Sequence, residues 1–143
     1  MSPTKVLFLC VHNSARSQMA EAYLKKLGGS GFEVESAGLE PGNLNPLAIA
    51  VMQEDGIDIS NNPTKDVFKM YTDGKLFQYV VTVCDAHNSE RCPVFPGITT
   101  RIGWEFEDPS SFIGTQDEKL EKTRKVRDQI KTSVQQFIQD RTK

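Results

Sequence analysis

The apolar residues of the chain first follow a strand pattern and then a helix pattern. Residues 5–10 form a short apolar run whose length and Val and Phe content predict a strand buried on both faces. The apolar residues between Met19 and Leu27 recur at helical spacing, and Gly28 and Gly29 end that segment. The chain is therefore predicted to begin with a central strand, a polar loop and a helix.

The alternation of strand and helix patterns continues to the end of the chain. The remaining predicted elements are strands near 32–36, 77–84 and 100–104 and helices near 46–55, 64–71 and 126–138. Strands that alternate with helices favour a parallel sheet covered by helices on both faces. We therefore expect one α/β domain over residues 1–143, a three-layer α/β/α structure with a four-stranded parallel sheet.

Composition and charge exclude several classes of function. The 143 residues are 38% hydrophobic and 25% charged, the balance of a globular protein rather than a disordered one. Seventeen Lys and Arg against 19 Asp and Glu give a net charge of −2, which does not supply the basic field that attracts nucleic acid or an anionic membrane. No apolar run approaches the roughly 18 residues of a membrane span, and the first five residues do not resemble a signal peptide. We expect a cytoplasmic monomer with no nucleic-acid or membrane partner.

The three cysteines, Cys10, Cys84 and Cys92, are too few and odd in number for a disulfide framework in a reducing compartment. Cys10 and Cys84 both come at the end of a predicted strand, and open parallel sheets bind ligands at that edge. A metal site of Cys84, Cys92 and His87 would supply three irregularly spaced ligands, whereas structural zinc takes four. From composition alone, reactive thiols, metal ligands and buried structural residues all remain open.

The loop after the first strand carries the most specific pattern. Cys10 is followed six positions later by Arg16 and then by Ser17. Five residues curled between a strand end and a helix start can turn their backbone N–H groups toward one point, where they bind a tetrahedral oxyanion. Arg16 adds a bidentate contact, and it favours, together with the helix end, the thiolate form of Cys10. The predicted oxyanion site consists of Val11, His12, Asn13, Ser14, Ala15, Arg16 and Ser17, with Cys10 as nucleophile.

Two alternatives to an oxyanion site are a nucleotide site and a chance occurrence of the pattern. The loop lacks the Gly-Lys-Ser/Thr sequence of a nucleotide P-loop, so a nucleotide site is excluded. Coincidence would leave Cys10 as a small buried hydrophobe and Arg16 as a solvated residue, but a random chain of this composition shows the pattern only roughly 2% of the time. An oxyanion site is therefore the favoured interpretation, with Ser17 placed to hydrogen-bond the Cys10 sulfur.

The chain resembles the low-molecular-weight protein tyrosine phosphatase family. The run from Cys10 to Glu21, CVHNSARSQMAE, is most similar to the arsenate reductase branch of that family. The resemblance covers nearly the whole chain and includes Ser36-Ala37-Gly38, Asp58-Ile59-Ser60, residues 80–84, Cys92-Pro93 and Asp108-Pro109. In two respects the chain departs from the pattern. Ala15 stands where many relatives carry an extra cysteine, and Cys84 and Cys92 lie one residue further apart than in the best-known relatives.

The resemblance implies that the protein reduces arsenate to arsenite through three thiols. Cys10 attacks arsenate, Cys84 then attacks the Cys10 sulfur so that arsenite leaves, and Cys92 attacks Cys84. The oxidation ends on a Cys84–Cys92 disulfide, which thioredoxin reduces. Asp108 matches the general acid of the family. Phosphate and sulfate are expected to compete with arsenate, and weak phosphatase activity is expected beside the reductase activity.

The resemblance also implies a supporting site behind the loop. Asn13, Glu21, Ser36 and Asp66 match positions that bind a potassium ion or brace the loop in some relatives. Each of them is equally compatible with an ordinary surface or capping role. No tightly bound cofactor is implied.

Two other functions remain open at this point. A phosphatase would hydrolyse phosphomonoesters through a phosphocysteine and would need only Cys10. A non-catalytic thiol sensor or arsenite-binding protein would use the three sulfurs as soft ligands and would make no use of Arg16. Ser110-Ser111-Phe112 follows Asp108-Pro109 in place of the paired tyrosines that frame an aromatic substrate, which favours a small inorganic substrate.

Overall fold

The computed structural model describes residues 3–83, 95, 97 and 99–141. Within them the chain forms one parallel sheet, in which the second strand along the chain lies at an edge and is followed in space by the first, the third and the fourth. Its strands are β1 (Thr4–Cys10), β2 (Phe32–Gly38), β3 (Tyr79–Thr82) and β4 (Thr100–Gly103). The first strand therefore lies inside the sheet, as its apolar run predicts.

Helices cover both faces of this sheet. They are α1 (Arg16–Gly28), α2 (Pro46–Glu54), α3 (Val67–Thr72) and α4 (Gln116–Arg141), with short 3-10 turns at Gly29–Gly31 and Pro109–Ser111. The predicted parallel sheet with helices on both faces is confirmed. No helix in the described part of the chain is long and apolar enough to cross a membrane.

Strand β1 is buried on both faces because its alternate side chains belong to two separate cores. Val6 and Phe8 pack in the larger core, which is formed with α1, α2 and α4. Leu7 and Leu9 pack in the smaller core, which includes residues of α3. Successive side chains of a strand point to opposite faces, so one short strand joins the two helical layers.

Two elements differ most in length from their predictions. Helix α4 begins at Gln116, well before the apolar stripe that starts at Val126, because Thr115 and Glu118 form a capping box. In that box the Glu118 N–H donates to Thr115 Oγ1 at 3.1 Å and the Thr115 N–H donates to Glu118 Oε1 at 3.3 Å. Strand β3 is shorter than the predicted 77–84, and Phe77 packs in the smaller core instead.

The carboxyl ends of β1 and β2 meet where the candidate chemistry lies. Cys10 is the last residue of β1 and is in register with Gly38, the last residue of β2. The predicted place of Cys10 at a strand end is thus confirmed. Cys84 and Cys92 lie outside the described residues, so their predicted positions stay predictions.

Candidate active site

The thiol of Cys10 is buried at the end of β1 and accepts hydrogen bonds from the loop that follows it. Cys10 is 2% exposed, and its sulfur is not joined in a disulfide. The Asn13 backbone N–H donates to this sulfur at 3.1 Å, and Ser17 Oγ lies 2.9 Å from it. The hydrogen bond expected between Ser17 and Cys10 is therefore present. Both donors stabilise a negative charge on the sulfur.

The backbone of the loop turns its carbonyl groups outward. Backbone N–H groups in the segment 39–45 donate to four loop carbonyls at 2.7–3.1 Å, those of Cys10, Val11, His12 and Ser14. The described residues contain no cis peptide bond, so each following N–H points away from its carbonyl, to the side opposite that segment. The Asn13 N–H, which reaches the Cys10 sulfur, shows this direction directly. Such convergent N–H groups form an anion-binding nest.

The loop can lie this close to β2 because residue 38 is glycine. A Cβ atom on Gly38 would lie 2.7 Å from Val11 O, 2.8 Å from Asn13 N and 2.9 Å from the carbonyl carbon of His12. All three neighbours are backbone atoms, which cannot move aside as a flexible side chain can. The sequence contained Gly38 within the family pattern but gave no signal of this close approach.

Asn13 is the centre of the hydrogen bonds that hold the loop. It is fully buried and has a positive φ of 54°, a conformation that is rare for a residue other than glycine. Its Oδ1 accepts from the Lys65 backbone N–H at 2.9 Å, and its Nδ2 donates to Ser17 Oγ at 2.8 Å and to Ser36 Oγ at 2.9 Å. A backbone N–H only donates, so the orientation of the amide is fixed. Ser17 therefore accepts from Asn13 and directs its own hydrogen to the Cys10 sulfur.

The network continues from Ser36 to the middle of α1. Ser36 Oγ donates to Glu21 Oε1 at 2.5 Å, and Lys25 Nζ lies 2.6 Å from Glu21 Oε2. Three of the four residues matched to a cation site are thus connected, namely Asn13, Ser36 and Glu21. The Asp66 carboxylate instead caps α3 by accepting from the Phe68 N–H at 2.8 Å. These contacts are those of a brace, and the potassium ion stays a prediction.

Arg16 and Asp108 are far apart in the sequence but form an ion pair in the structure. Arg16 is the first residue of α1 and is 8% exposed. Its Nη1 donates to the Phe106 carbonyl at 3.1 Å, and its Nη2 lies 3.5 Å from Asp108 Oδ2. Asp108 is held by the turn that follows it, where its Oδ1 accepts from the Ser110 N–H at 3.0 Å. The loop therefore has the thiol of Cys10 at its start and the paired guanidinium and carboxyl groups of Arg16 and Asp108 at its end.

Of the remaining loop residues, His12 lies at the rim and Ala15 in the interior. His12 is exposed, and its Nδ1 lies 2.8 Å from the Glu40 carbonyl oxygen. Ala15 is 2% exposed and precedes α1. Neither side chain is placed to react. The contribution of these residues to an oxyanion site would be their backbone N–H groups.

The sequence did not single out Gln18, which the structure places beside the loop. Gln18 is 1% exposed, and its Nε2 lies within hydrogen-bond distance of three oxygens, two of them on Asn13. From sequence alone, a glutamine in the first turn of a helix is expected to be exposed to solvent. No periodicity in the sequence distinguishes it from one.

Comparison with known proteins relates the chain to one family over nearly its whole length. Residues 5–143 match the family Low molecular weight phosphotyrosine protein phosphatase. The chain is 42% identical to the arsenate reductase of Oceanobacillus iheyensis over 138 residues, covering 96% of each chain.

Solved structures give the same relation. A structure described as an arsenate reductase in the phosphate binding state superposes with a TM-score of 0.74 at 34% identity, covering 96% of this chain and 98% of the other. A thioredoxin-dependent arsenate reductase of Corynebacterium glutamicum superposes with a TM-score of 0.65 at 32% identity, covering 94% of this chain and 63% of the other.

Proposed function

The chain belongs to the low molecular weight phosphotyrosine protein phosphatase family, and from this premise we propose that it is an arsenate reductase coupled to thioredoxin. The geometry of the site supports the proposal independently of sequence similarity. The Cys10 sulfur lies in a loop whose backbone N–H groups turn to one side, and Arg16 and Asp108 are adjacent to each other at that loop. This arrangement suits attack by a thiolate on a bound tetrahedral oxyanion.

In the first step the Cys10 thiolate attacks the arsenic of arsenate. A sulfur–arsenic bond forms while one arsenic–oxygen bond breaks, and Asp108 in its acid form protonates the departing oxygen. Arg16 and the loop N–H groups balance the negative charge of the remaining oxygens. The protein and arsenic are joined covalently at the end of this step, and arsenic keeps its oxidation state.

In the second step the electrons move from sulfur to arsenic. The Cys84 thiolate attacks the Cys10 sulfur, a disulfide forms, and the pair of electrons from the sulfur–arsenic bond stays on arsenic, which leaves as arsenite. Cys92 then attacks the Cys84 sulfur and frees Cys10. The dithiol of thioredoxin supplies the two electrons that reduce the resulting Cys84–Cys92 disulfide. The roles of Cys84 and Cys92 rest on the sequence resemblance, since both lie outside the described residues.

No step of this reaction requires a bound cation. A potassium ion would be held by the oxygens of Asn13, Glu21 and Ser36 and would supply only positive charge behind the loop. The Glu21 carboxylate is already hydrogen-bonded by Ser36 and paired with Lys25. We therefore give such an ion at most a bracing role.

Hydrolysis of phosphomonoesters is the second candidate function. A nest of N–H groups with an arginine binds phosphate by the same contacts as arsenate, and a relative is described as being in a phosphate binding state. We therefore expect phosphate to compete with arsenate and a weak phosphatase activity to accompany reduction. The exposed Ser110 and Ser111 after Asp108 offer no aromatic walls for a phosphotyrosine ring.

The decisive experiment couples arsenate reduction to NADPH consumption through thioredoxin and thioredoxin reductase. Wild-type protein should consume NADPH continuously only when arsenate is present. Cys84→Ser should release no arsenite. Cys92→Ser should release about one arsenite per protein molecule and then stop, because its disulfide joins Cys10 to Cys84 and is not passed on. Ser30→Ala, an exposed serine in the turn after α1, is the neutral control.

Three results would contradict the proposal in different ways. Continuous arsenate turnover by both Cys84→Ser and Cys92→Ser would show that the thiol cascade is wrong. Fast hydrolysis of p-nitrophenyl phosphate by a protein that is inert toward arsenate would replace reduction with phosphatase activity. Arsenite binding that is unaffected by Arg16→Ala, without turnover of either substrate, would favour the thiol sensor.

A further inference from the structure

Every carbonyl group from Cys10 to Ala15 accepts a hydrogen bond, and one of them depends on a side chain. Backbone N–H groups serve five of the six, four from the segment 39–45 and one from Met19 in α1. The Asn13 carbonyl accepts from the Gln18 side-chain amide at 3.1 Å and has no backbone donor among the described residues. We propose that Gln18 is a positioning residue, which fixes the Asn13–Ser14 peptide group so that the Ser14 N–H faces the bound oxyanion.

The contacts of Gln18 determine which end of its amide faces the loop. Its Nε2 lies 3.1 Å from Asn13 O, 3.2 Å from Asn13 Oδ1 and 3.0 Å from Pro63 O. Two of these atoms are backbone carbonyl oxygens, which only accept, so the NH2 group must point toward them. The Asn62 Nδ2 donates to the other end, Gln18 Oε1, at 3.2 Å. Gln18 therefore ties the loop to the segment 62–63.

The orientation of the Asn13–Ser14 peptide group decides whether the oxyanion faces a partly positive N–H group or a partly negative carbonyl oxygen. In a trans peptide the Ser14 N–H points opposite to the Asn13 carbonyl, and therefore away from Gln18. If the Asn13–Ser14 peptide group rotated by half a turn, a carbonyl oxygen would face the anion in place of an N–H donor. The positive φ of Asn13 is a conformation that persists only when the surroundings hold it.

Loss of the Gln18 donor would leave the Asn13 carbonyl buried without a partner. Asn13 has no exposed surface, so water cannot replace the donor without rearrangement. Rotation of the peptide group would relieve this cost and remove a donor from the oxyanion site. The Asn13 N–H that donates to the Cys10 sulfur belongs to the preceding peptide group, and a shift of Asn13 that accompanies the rotation would weaken this hydrogen bond. Gln18 thus influences both the Cys10 thiolate and the bound oxyanion, although it contacts neither of them directly.

A purely structural role would affect only the stability of the protein, and the same helix offers a matched control. Tyr23 is 1% exposed, and its hydroxyl group donates to Asp55 at 2.8 Å, far from the loop. Gln18→Met and Tyr23→Phe each remove a hydrogen-bonding group from a buried side chain of α1 and keep its approximate size. Both are expected to lower the melting temperature.

The test measures inorganic phosphate binding by calorimetry and the pH dependence of Cys10 alkylation by iodoacetamide. Gln18→Met should bind phosphate about tenfold or more weakly than wild type, the effect of one lost hydrogen bond to a charged group. Its alkylation curve should move to higher pH, because the thiolate is less stabilised. Tyr23→Phe should change neither. Wild-type phosphate affinity and alkylation in Gln18→Met would overturn the proposal.

A second measurement applies if Gln18→Met does not fold. In wild-type protein, addition of phosphate should move the Ser14 amide proton resonance strongly downfield, as expected for a new hydrogen bond to an anion. A Ser14 resonance that stays in place while the Ala15 resonance moves would overturn the proposal.

The proposal rests on the oxyanion site of the proposed function, and the two can fail separately. Neither phosphate binding nor alkylation requires arsenate turnover. A chain that fails to reduce arsenate yet shows the Gln18 effects would contradict only the reductase. A reductase in which Gln18→Met leaves both readouts unchanged would contradict only the positioning role.

Discussion

Two polar clusters flank helix α1, and they differ in burial and in charge. The first, the loop network, is at most 6% exposed and consists of Asn13, Ser17, Gln18, Glu21 and Ser36. The second, the helix clamp, joins α2 to α4, has side chains 14–40% exposed and consists of Glu54, Asp55, Arg124, Arg127 and Lys131. The loop network is mostly neutral, whereas the clamp is formed by ion pairs.

This difference shows why only one cluster is suited to chemistry. A buried hydrogen bond has few alternative partners, so the loop network fixes the direction of each donor. Exposed ion pairs are screened by water and salt, and their side chains exchange partners at little cost. The clamp therefore orients helices, and the loop network orients individual N–H and O–H groups. Changes to the loop network should therefore have larger effects than changes to the clamp.

The largest effect is expected where β2 touches the loop. Gly38→Ala places a methyl group within 2.9 Å of three backbone atoms of residues 11–13, so the loop must shift. We expect a loss of about 1–3 kcal/mol in the free energy of unfolding, together with loss of most phosphate binding. Chemical denaturation and calorimetry measure the two effects.

The matched control for this variant is Gly42→Ala. Its new Cβ would lie 3.7 Å from the His12 Cβ, an ordinary contact with the same loop. We expect phosphate affinity close to that of wild type. Equal losses in Gly38→Ala and Gly42→Ala would show that close packing of β2 against the loop is not what shapes the site.

An intermediate effect is expected at Tyr23, the buried residue of α1 that contacts the clamp. Burial and the hydrogen bond to Asp55 raise the pKa of Tyr23 above its ordinary value of 10.0. A raised pKa means that the folded state favours the neutral phenol, so the stability from this group is present below about pH 10 and is lost as the pH rises further. Tyr23→Phe should cost about 1 kcal/mol at pH 7.

The pH dependence separates this effect from a simple loss of packing. The difference in unfolding free energy between wild type and Tyr23→Phe should shrink as the pH rises above 10, and urea denaturation across that range measures it. The same hydrogen bond lowers the pKa of Asp55, so its contribution is lost as the pH falls below about 3.8. A difference that is constant from pH 7 to pH 12 would contradict the role of the Tyr23 hydroxyl group.

The smallest effect is expected at the exposed end of the clamp. Hydrogen bonds and charge attraction from Arg124 lower the pKa of Glu54, yet both side chains are more than a third exposed. Arg124→Ala should leave arsenate reduction unchanged and alter the melting temperature little, with less change at high salt. Thermal denaturation at low and high salt measures this. A large loss of stability that persists at high salt would show that the clamp is as important for stability as the loop network, and would contradict the contrast between them.

The sequence predicted the elements of the fold where apolar residues repeat at a regular period. The run at 5–10 forms the interior strand β1 because its five side chains from Val6 to Cys10 enter the two cores. Apolar periodicity does not predict the start of α4 because its first turns are polar, although the Thr115–Glu118 capping box is visible in the sequence. The periodicity of apolar residues indicates which positions are buried, so it does not mark the start of a helix whose first turns are exposed to solvent.

The sequence by itself determined where the thiol of Cys10 lies and which residues follow it in the loop. Cys10 ends β1 and Arg16 and Ser17 begin α1, so their spacing alone places all three at the two ends of one short loop, where Ser17 Oγ meets the Cys10 sulfur. Only the tertiary structure decided that Asp108 reaches Arg16, that Gly38 lies against the loop and that Gln18 holds the Asn13 carbonyl. The physical reason is that local spacing is set by covalent geometry, whereas the partners of a buried polar group depend on how distant segments pack around it.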